Sequence, residues 1–288
     1  MSHSSPLLYS LRQAVSRRAR EGMTIFCLDG PLPSHAPDFF SNDYLSLSTD
    51  RSIKDIFLRR VQVASPARLF GSRGSRLGTG NSTEYNVLEK AFQRFFQAPS
   101  ALLFASGFTA NMAFLATVPQ KNDVIIYDEL IHASCRDGIR LSSRASYRFS
   151  HNSVASFKEC LLGVLQSHPE VTRGNSTVFV IVESLYSMDG DFCPLAGIVG
   201  VVESFVPAGR AHIVVDEAHT SGICGPNGTG YVAHLGLNDH VHTKVHTFGK
   251  AWGYHGGMST YLCVILIFML VMFHSSHPYL TDHKGLPN

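Results

Sequence analysis

The apolar positions of this chain change period along its length, and each change marks an element. Pro6 to Glu21 carries apolar residues at helical spacing with arginines between them, which predicts an N-terminal helix. Phe39 to Leu47 is apolar and polar by turns, and helical spacing returns from Thr49 to about Val61. Gly71 to Asn81 then holds Gly71, Gly74, Gly78 and Gly80, too many glycines for a regular element. Such a run lets backbone amides approach a ligand closely, and it equally suits a flexible surface loop. Ser82 is the predicted cap of a helix running to Phe96, with Leu88, Phe92 and Phe95 or Phe96 on one face.

From Ser100 onward, short apolar runs alternate with helical patterns. The predicted strands are Ala101 to Phe104, Asp123 to Tyr127, Ala145 to Phe149, Thr177 to Glu183, Ala211 to Val215 and Lys244 to Phe248. The helices between them start at the Ser106 to Asn111 turn, at Ala133, at Ser153 and at Pro194. This alternation predicts an α/β fold, a mostly parallel sheet with helices on both faces. Ligands of such sheets bind beyond the carboxyl ends of the strands. The polar and glycine clusters of this chain fall there, after Phe104, Tyr127, Val182, Val215 and Phe248.

Composition narrows the function classes. At 288 residues, 44% hydrophobic and 16% charged, the chain suits one large domain, alone or with a small appendage. A formal net charge of +2 gives no basic face for nucleic acid. Six dispersed cysteines without a C-x-x-C pair argue against a zinc site or a disulfide framework and fit a reducing compartment. The cytoplasm is the expected compartment, with mitochondrion or peroxisome as alternatives. Residues 1–20 are rich in Ser and Arg without a secretory apolar core, so an amphipathic helix is preferred to a transit peptide.

Candidate chemistry gathers at the predicted strand ends. Ser106-Gly107-Phe108 opens a helix, where free amides favour an anion, although a plain strand-to-helix turn has the same sequence. Asp216 ends a valine-rich strand, where a carboxylate either pairs with a cation or caps the next turn. His132 lies in a loop from which its ring can stack on a flat ligand or simply meet solvent. Lys250, between Gly249 and Ala251, has room for a bulky adduct. An amine, a carboxylate and a polar ring partner are what a pyridoxal phosphate site requires. His240, His242 and His246 lack the companions of a metal ligand set, and no metal is expected.

Eight segments in order carry a family likeness. They are Asn42-Asp-Tyr-Leu45, the Gly71–Gly80 run, Phe104-Ala-Ser-Gly-Phe-Thr-Ala-Asn111 and Ile131-His-Ala-Ser134. Phe149-Ser-His-Asn152, Glu183-Ser-Leu-Tyr-Ser-Met-Asp-Gly-Asp191, Val215-Asp-Glu-Ala-His219 and Thr247-Phe-Gly-Lys250 complete the set. Over residues 36–257 the chain resembles the α-oxoamine synthases, pyridoxal phosphate enzymes of fold type I, and is most similar to their 8-amino-7-oxononanoate synthase branch in biotin biosynthesis. The resemblance implies that Lys250 holds the cofactor as a Schiff base and that Asp216 pairs with its ring nitrogen. His219 and Ser187 would meet the ring hydroxyl, and His132 would stack on the ring. Ser106, Gly107, Phe108 and Thr247 would hold the phosphate, Asn42 would lie near the substrate, and Glu183 would order the site. The implied reaction condenses an amino acid, L-alanine, with a pimeloyl thioester carried on coenzyme A or an acyl carrier protein. CO2 is lost, and Lys250 serves also as the base. A homodimer is implied, with neither nucleic acid nor membrane as partner. Other branches, making aminolevulinate, the sphingoid base from serine, aminoketobutyrate or secondary metabolites, remain open, as does an inactive protein of the same fold.

The likeness implies an N-terminal helix and linker over 1–35, a cofactor-binding large domain over 36–257 and an atypical tail over 258–288. Tyr85 and Ser46 depart from the residues usual in the family, histidine and glycine. After Gly257 the motifs stop, and the thirteen-residue apolar run Tyr261 to Phe273 is shorter than the ~20 residues of a spanning helix. The expectation is that this tail comes from a retained intron or a frameshift, that the family's C-terminal small domain is missing or replaced, and that the product is unstable or inactive.

Overall fold

A computed structural model describes residues 5–22, 37–63, 74–76 and 78–261. The start of the Gly71–Gly80 run, Leu77 within it and everything after Tyr261 fall in the remainder, so of the expected tail over 258–288 only residues 258–261 are described. Contacts divide the chain into two units, Met1–Ser41 and Asn42–Asn288. In the first, α1 (Pro6–Arg20) starts with Pro6 in its first turn, has Arg17, Arg18 and Arg20 in its last turn, and buries no residue.

The second unit contains the sheet. Its elements in order are α2 (Arg51–Val63), α3 (Thr83–Phe95), β1 (Ser100–Phe104), α4 (Gly107–Thr117), β2 (Val124–Asp128), α5 (Ala133–Ser142) and β3 (Ala145–Phe149). Then come α6 (Val154–Ser167), α7 (Pro169–Thr172), β4 (Val178–Glu183), α8 (Leu195–Phe205), β5 (Ala211–Asp216), α9 (Tyr231–His234), β6 (Thr243–Thr247) and β7 (Gly257–Tyr261). Across the sheet the order is β1-β7-β6-β5-β4-β2-β3. Pairing is parallel from β3 through to β6, and β7 is antiparallel to both its neighbours, β6 and β1. Six strands therefore run one way and deliver Phe104, Asp128, Phe149, Glu183, Asp216 and Thr247 to a single edge.

Alternation along the strands explains the two cores. On β4, Val178, Val180 and Val182 pack with Phe157, Leu161, Leu195 and Ile198 of α6 and α8 on one face. Phe179 and Ile181 pack with Phe114, Leu115 and Ile139 of α4 and α5 on the other. Each such buried side chain contributes about 1.5–3 kcal/mol, and a sheet covered on both faces reads as an unbroken apolar strand. A third cluster joins Phe96 beside α3 to Phe248 and Met258.

The mostly parallel α/β sheet expected from the sequence is the one found. What the alternation missed is β7. Residue 257, the expected end of the large domain, opens this strand, and all five of its residues are buried between β1 and β6. Gly-Met-Ser-Thr-Tyr has no apolar period of its own; its neighbours pair its two edges, and Tyr261 and Met258 pack into core clusters. Met258 to Tyr261 therefore belong to the sheet.

The loop after β5 is built around a buried carboxylate. Glu217 is fully buried and accepts from the amides of Tyr231 and Val232 at 2.8 and 2.7 Å and from the Thr220 hydroxyl at 2.7 Å. Gly230 closes against it with φ of +109°, and a Cβ there would stand 2.0 Å from the Glu217 carboxylate. Gly230→Ala should cost about 2–4 kcal/mol through strain and loss of that anchorage. Urea unfolding measures it, and an unchanged midpoint would refute this account of the loop.

Candidate active site

Four strand ends and one helix terminus make the site. Asp216, last residue of β5, is buried, accepts from Asn111 Nδ2 of α4 at 2.6 Å and from the Ala218 amide at 2.8 Å. Asn111 also donates to Ser134 Oγ at 3.1 Å. The carboxylate is thus held in orientation by a helix on one side and its own turn on the other. Glu183, at the end of β4, stands beside Asp216 in parallel register. Burial, and then the Asp216 charge, push Glu183 up to about 8. Near neutral pH one carboxyl of this pair carries a proton, which relieves the repulsion of two buried anions.

Lys250 follows β6 on a turn closed by the Gly253 amide bonding the Lys250 carbonyl at 2.9 Å. Its Nζ lies 2.6 Å from His219 Nε2. Burial lowers the lysine pKa, while Asp216 and Glu183 oppose the shift. His219 is pushed down to about 4, first by burial and then by the Lys250 charge, so its ring is neutral near pH 7. The far nitrogen, Nδ1, lies 2.7 Å from the Tyr44 hydroxyl, which also donates to Asn42 Oδ1 at 3.1 Å. Asn42 reaches the lysine only through these two side chains.

His132 caps α5, its Nδ1 accepting from the Ser134 amide at 3.2 Å with Ser134 Oγ at 2.7 Å. The residue is open to solvent, yet packing around the ring lowers its pKa against the pull of Asp216. Phe108 meets it edge-on at 5.9 Å.

At the start of α4, Ser106 accepts from the Thr109 amide at 3.0 Å. The helix provides no acceptor for the Gly107 and Phe108 amides of its first turn. The backbone is bare there: a Cβ on Gly107 would lie 3.1 Å from Thr247 Cβ, and one on Gly257 would lie 2.2 Å from the Gly107 nitrogen. Helix terminus, Thr247 hydroxyl and absent side chains form a cradle with the chemistry of a phosphate site. Between this cradle and the Asp216 carboxylate, Lys250 supplies an amine. The donor set fits pyridoxal phosphate.

Ser187 is the exception among the expected site residues. It stands exposed on the turn after β4, with no side-chain hydrogen bond to the groups above. That turn is tied down from elsewhere. His151 Nδ1 lies 2.9 Å from Asp128 Oδ1 and its Nε2 3.0 Å from Asp191 Oδ2, while Asn152 Nδ2 donates to Asp191 at 2.7 Å. Burial works to lower the His151 pKa, but the two carboxylates outweigh it and the pKa is raised. The Phe149–Asn152 and Glu183–Asp191 segments are thereby one clamp. His240, His242 and His246 are separately engaged, by Glu203, by the Ile213 amide and by Ser221.

Tyr44, Asn111 and Ser134 do not stand out by residue type, although each lies inside one of the family motifs. Their signal is position beside a charged group, which only the fold reveals. An apolar cavity of about 520 Å³ adjoins the cradle, lined by Phe92, Phe104, Phe248, Trp252, Tyr254 and His255 among others. Among the described residues no helix is long and apolar enough to cross a membrane.

A family model described as aminotransferase class I and II matches residues 37–274, past the point where the family motifs stop. An 8-amino-7-oxononanoate synthase of Emericella nidulans is 44% identical over 255 residues, covering 86% of this chain and 60% of the relative. Aminoacyl transferase sphA of Byssochlamys spectabilis is 35% identical, covering 87% and 54%. Among solved structures, Sphingomonas wittichii serine palmitoyltransferase superposes with a TM-score of 0.69 at 29% identity, over 81% of this chain and 54% of that one. For 8-amino-7-oxononanoate synthase of Francisella tularensis the values are 0.64, 28%, 84% and 63%. The chain thus spans between half and two thirds of the length of these relatives.

Glu183 gives a pH signature. Its proton is bound more tightly in the folded chain than at the ordinary value of 4.5. The stability it contributes is complete below that value and drains away as pH rises toward 8. Glu183→Gln should flatten the fall of urea stability between about pH 5 and about pH 8; an unaltered slope would contradict the shift.

Proposed function

Because the chain belongs to the aminotransferase class I and II family, we propose that it binds pyridoxal phosphate through Lys250 and joins an amino acid to an acyl thioester with loss of CO2. The observation that carries the reading is the convergence of Lys250, Asp216 and the bare first turn of α4 on one sheet edge. When bound, the cofactor supplies an electron-withdrawing ring that stabilises negative charge at the substrate carbon.

This chain's residues do the rest. Gly107 and Phe108 amides with the Thr247 hydroxyl would hold the phosphate, and Asp216, fixed by Asn111, would offer its carboxylate to the ring nitrogen. His132 would stack on the ring, and His219, with Ser187 from its clamped turn, would meet the ring hydroxyl. Lys250 would stand as a free amine beside the bound amino acid. With its pKa lowered by burial, it spends more time as an amine able to take the substrate α-proton. Glu183, protonated near neutral pH, would not compete with Asp216 for the ring nitrogen.

The apolar cavity beside the cradle suits the acyl chain, and L-alanine with a pimeloyl thioester, for biotin biosynthesis, is the pair favoured by likeness to the Emericella relative. Likeness to serine palmitoyltransferases keeps serine with a long acyl thioester as the second reading. A second copy of the chain completes the proposal, since Ile53, Ile56 and Phe57 leave one side of α2 apolar and exposed.

Adding pyridoxal phosphate to the purified chain should produce visible absorbance that Lys250→Ala abolishes, with dimers on sedimentation. Release of CO2 on offering alanine, glycine or serine with pimeloyl and palmitoyl thioesters then identifies the substrates. Absorbance that survives Lys250→Ala would sink the assignment.

A further inference from the structure

His219 is hydrogen-bonded at both ring nitrogens, and the direction of each bond follows from its partners. Asn42 Oδ1 only accepts, so the Tyr44 hydroxyl proton is spent on it, at 3.1 Å. At 2.7 Å from the same oxygen, His219 Nδ1 must then be the donor. A neutral imidazole has one N–H, so Nε2 is left with its lone pair, and the Lys250 Nζ at 2.6 Å donates to it. The chain of bonds runs one way, from lysine to histidine to tyrosine to asparagine. If Nε2 carried the proton instead, it would point an N–H at the amine 2.6 Å away, and the hydroxyl would have to leave Asn42.

We propose that Tyr44 is a positioning residue of the Lys250 site, fixing the tautomer of His219 so that Nε2 is an acceptor facing the lysine. This deepens the cofactor reading and rests on it for its consequence. The Tyr44 hydroxyl can also reverse its role, and the His219 tautomer changes with it. By turning from Asn42 to Nδ1 it donates, and Nε2 then becomes a donor for an anionic oxygen such as the ring hydroxyl of the cofactor. Phenylalanine at 44 supports neither state. Tyr44 is 42% exposed, on the loop before α2, so removal of its hydroxyl leaves the core untouched.

The test uses the full 288-residue chain labelled with 15N-histidine, with His219 assigned by the loss of its signals in His219→Asn. Without cofactor, wild type should show His219 as the Nδ1–H form, and Tyr44→Phe should lose that preference without a change in the urea midpoint. A predominantly Nε2–H wild type, or identical spectra for the two proteins, would overturn the proposal. With pyridoxal phosphate added, Tyr44→Phe should keep the visible band but move its pH midpoint by about half to one unit, the worth of one hydrogen bond. A band with an unmoved midpoint would confine Tyr44 to a structural role and overturn the proposal. Failure of wild type to form any band would count against the cofactor reading, while the nitrogen spectra would still decide whether Tyr44 sets the tautomer.

Discussion

The site depends on keeping a carboxylate buried and oriented at the end of β5. Asp216 is fixed by Asn111 from α4 and by its own turn, and its negative charge sets the behaviour of its neighbours. It helps to raise Glu183 to about 8, opposes the loss of the Lys250 proton and pulls against the desolvation of His132 and His219. A buried anion of this kind is costly unless a cation or a strong donor meets it. Lys250 alone does not discharge that cost, because its amine is engaged by His219. A protonated ring nitrogen would.

The sheet explains how these groups meet. Six strands pointing one way place their carboxyl ends on one edge, and β7, running back between β1 and β6, lets Gly257 abut Gly107 there. The close approach needs glycine at 257, while a Cβ on Gly107 would instead press on Thr247 at 3.1 Å. It also gives the region after Lys250 a structural duty, since β7 joins β1 to the rest of the sheet.

Much of this was legible in the sequence. Strands β2, β4 and β5 announced themselves by apolar runs covered on both faces, and the turns that follow them carry the charged residues. Lys250, Asp216, His132 and His219 were recognisable by type and place. Three things were not. β7 has no apolar period and takes its place through pairing with β1 and β6; Tyr44 and Asn111 act through neighbours distant in sequence; and Ser187 lies on an exposed turn whose placement depends on the His151 clamp. Each depends on a contact between segments far apart in the chain, which no local pattern encodes.

The functional reading stands on Lys250, and no other lysine, being the point of attachment for pyridoxal phosphate. Incubation with the cofactor, borohydride reduction and peptide mass mapping test it most directly. One modified peptide is expected, containing Lys250, and none in the Lys250→Ala chain. Label on Lys244 or spread across surface lysines, with Lys250 unmodified, would contradict it.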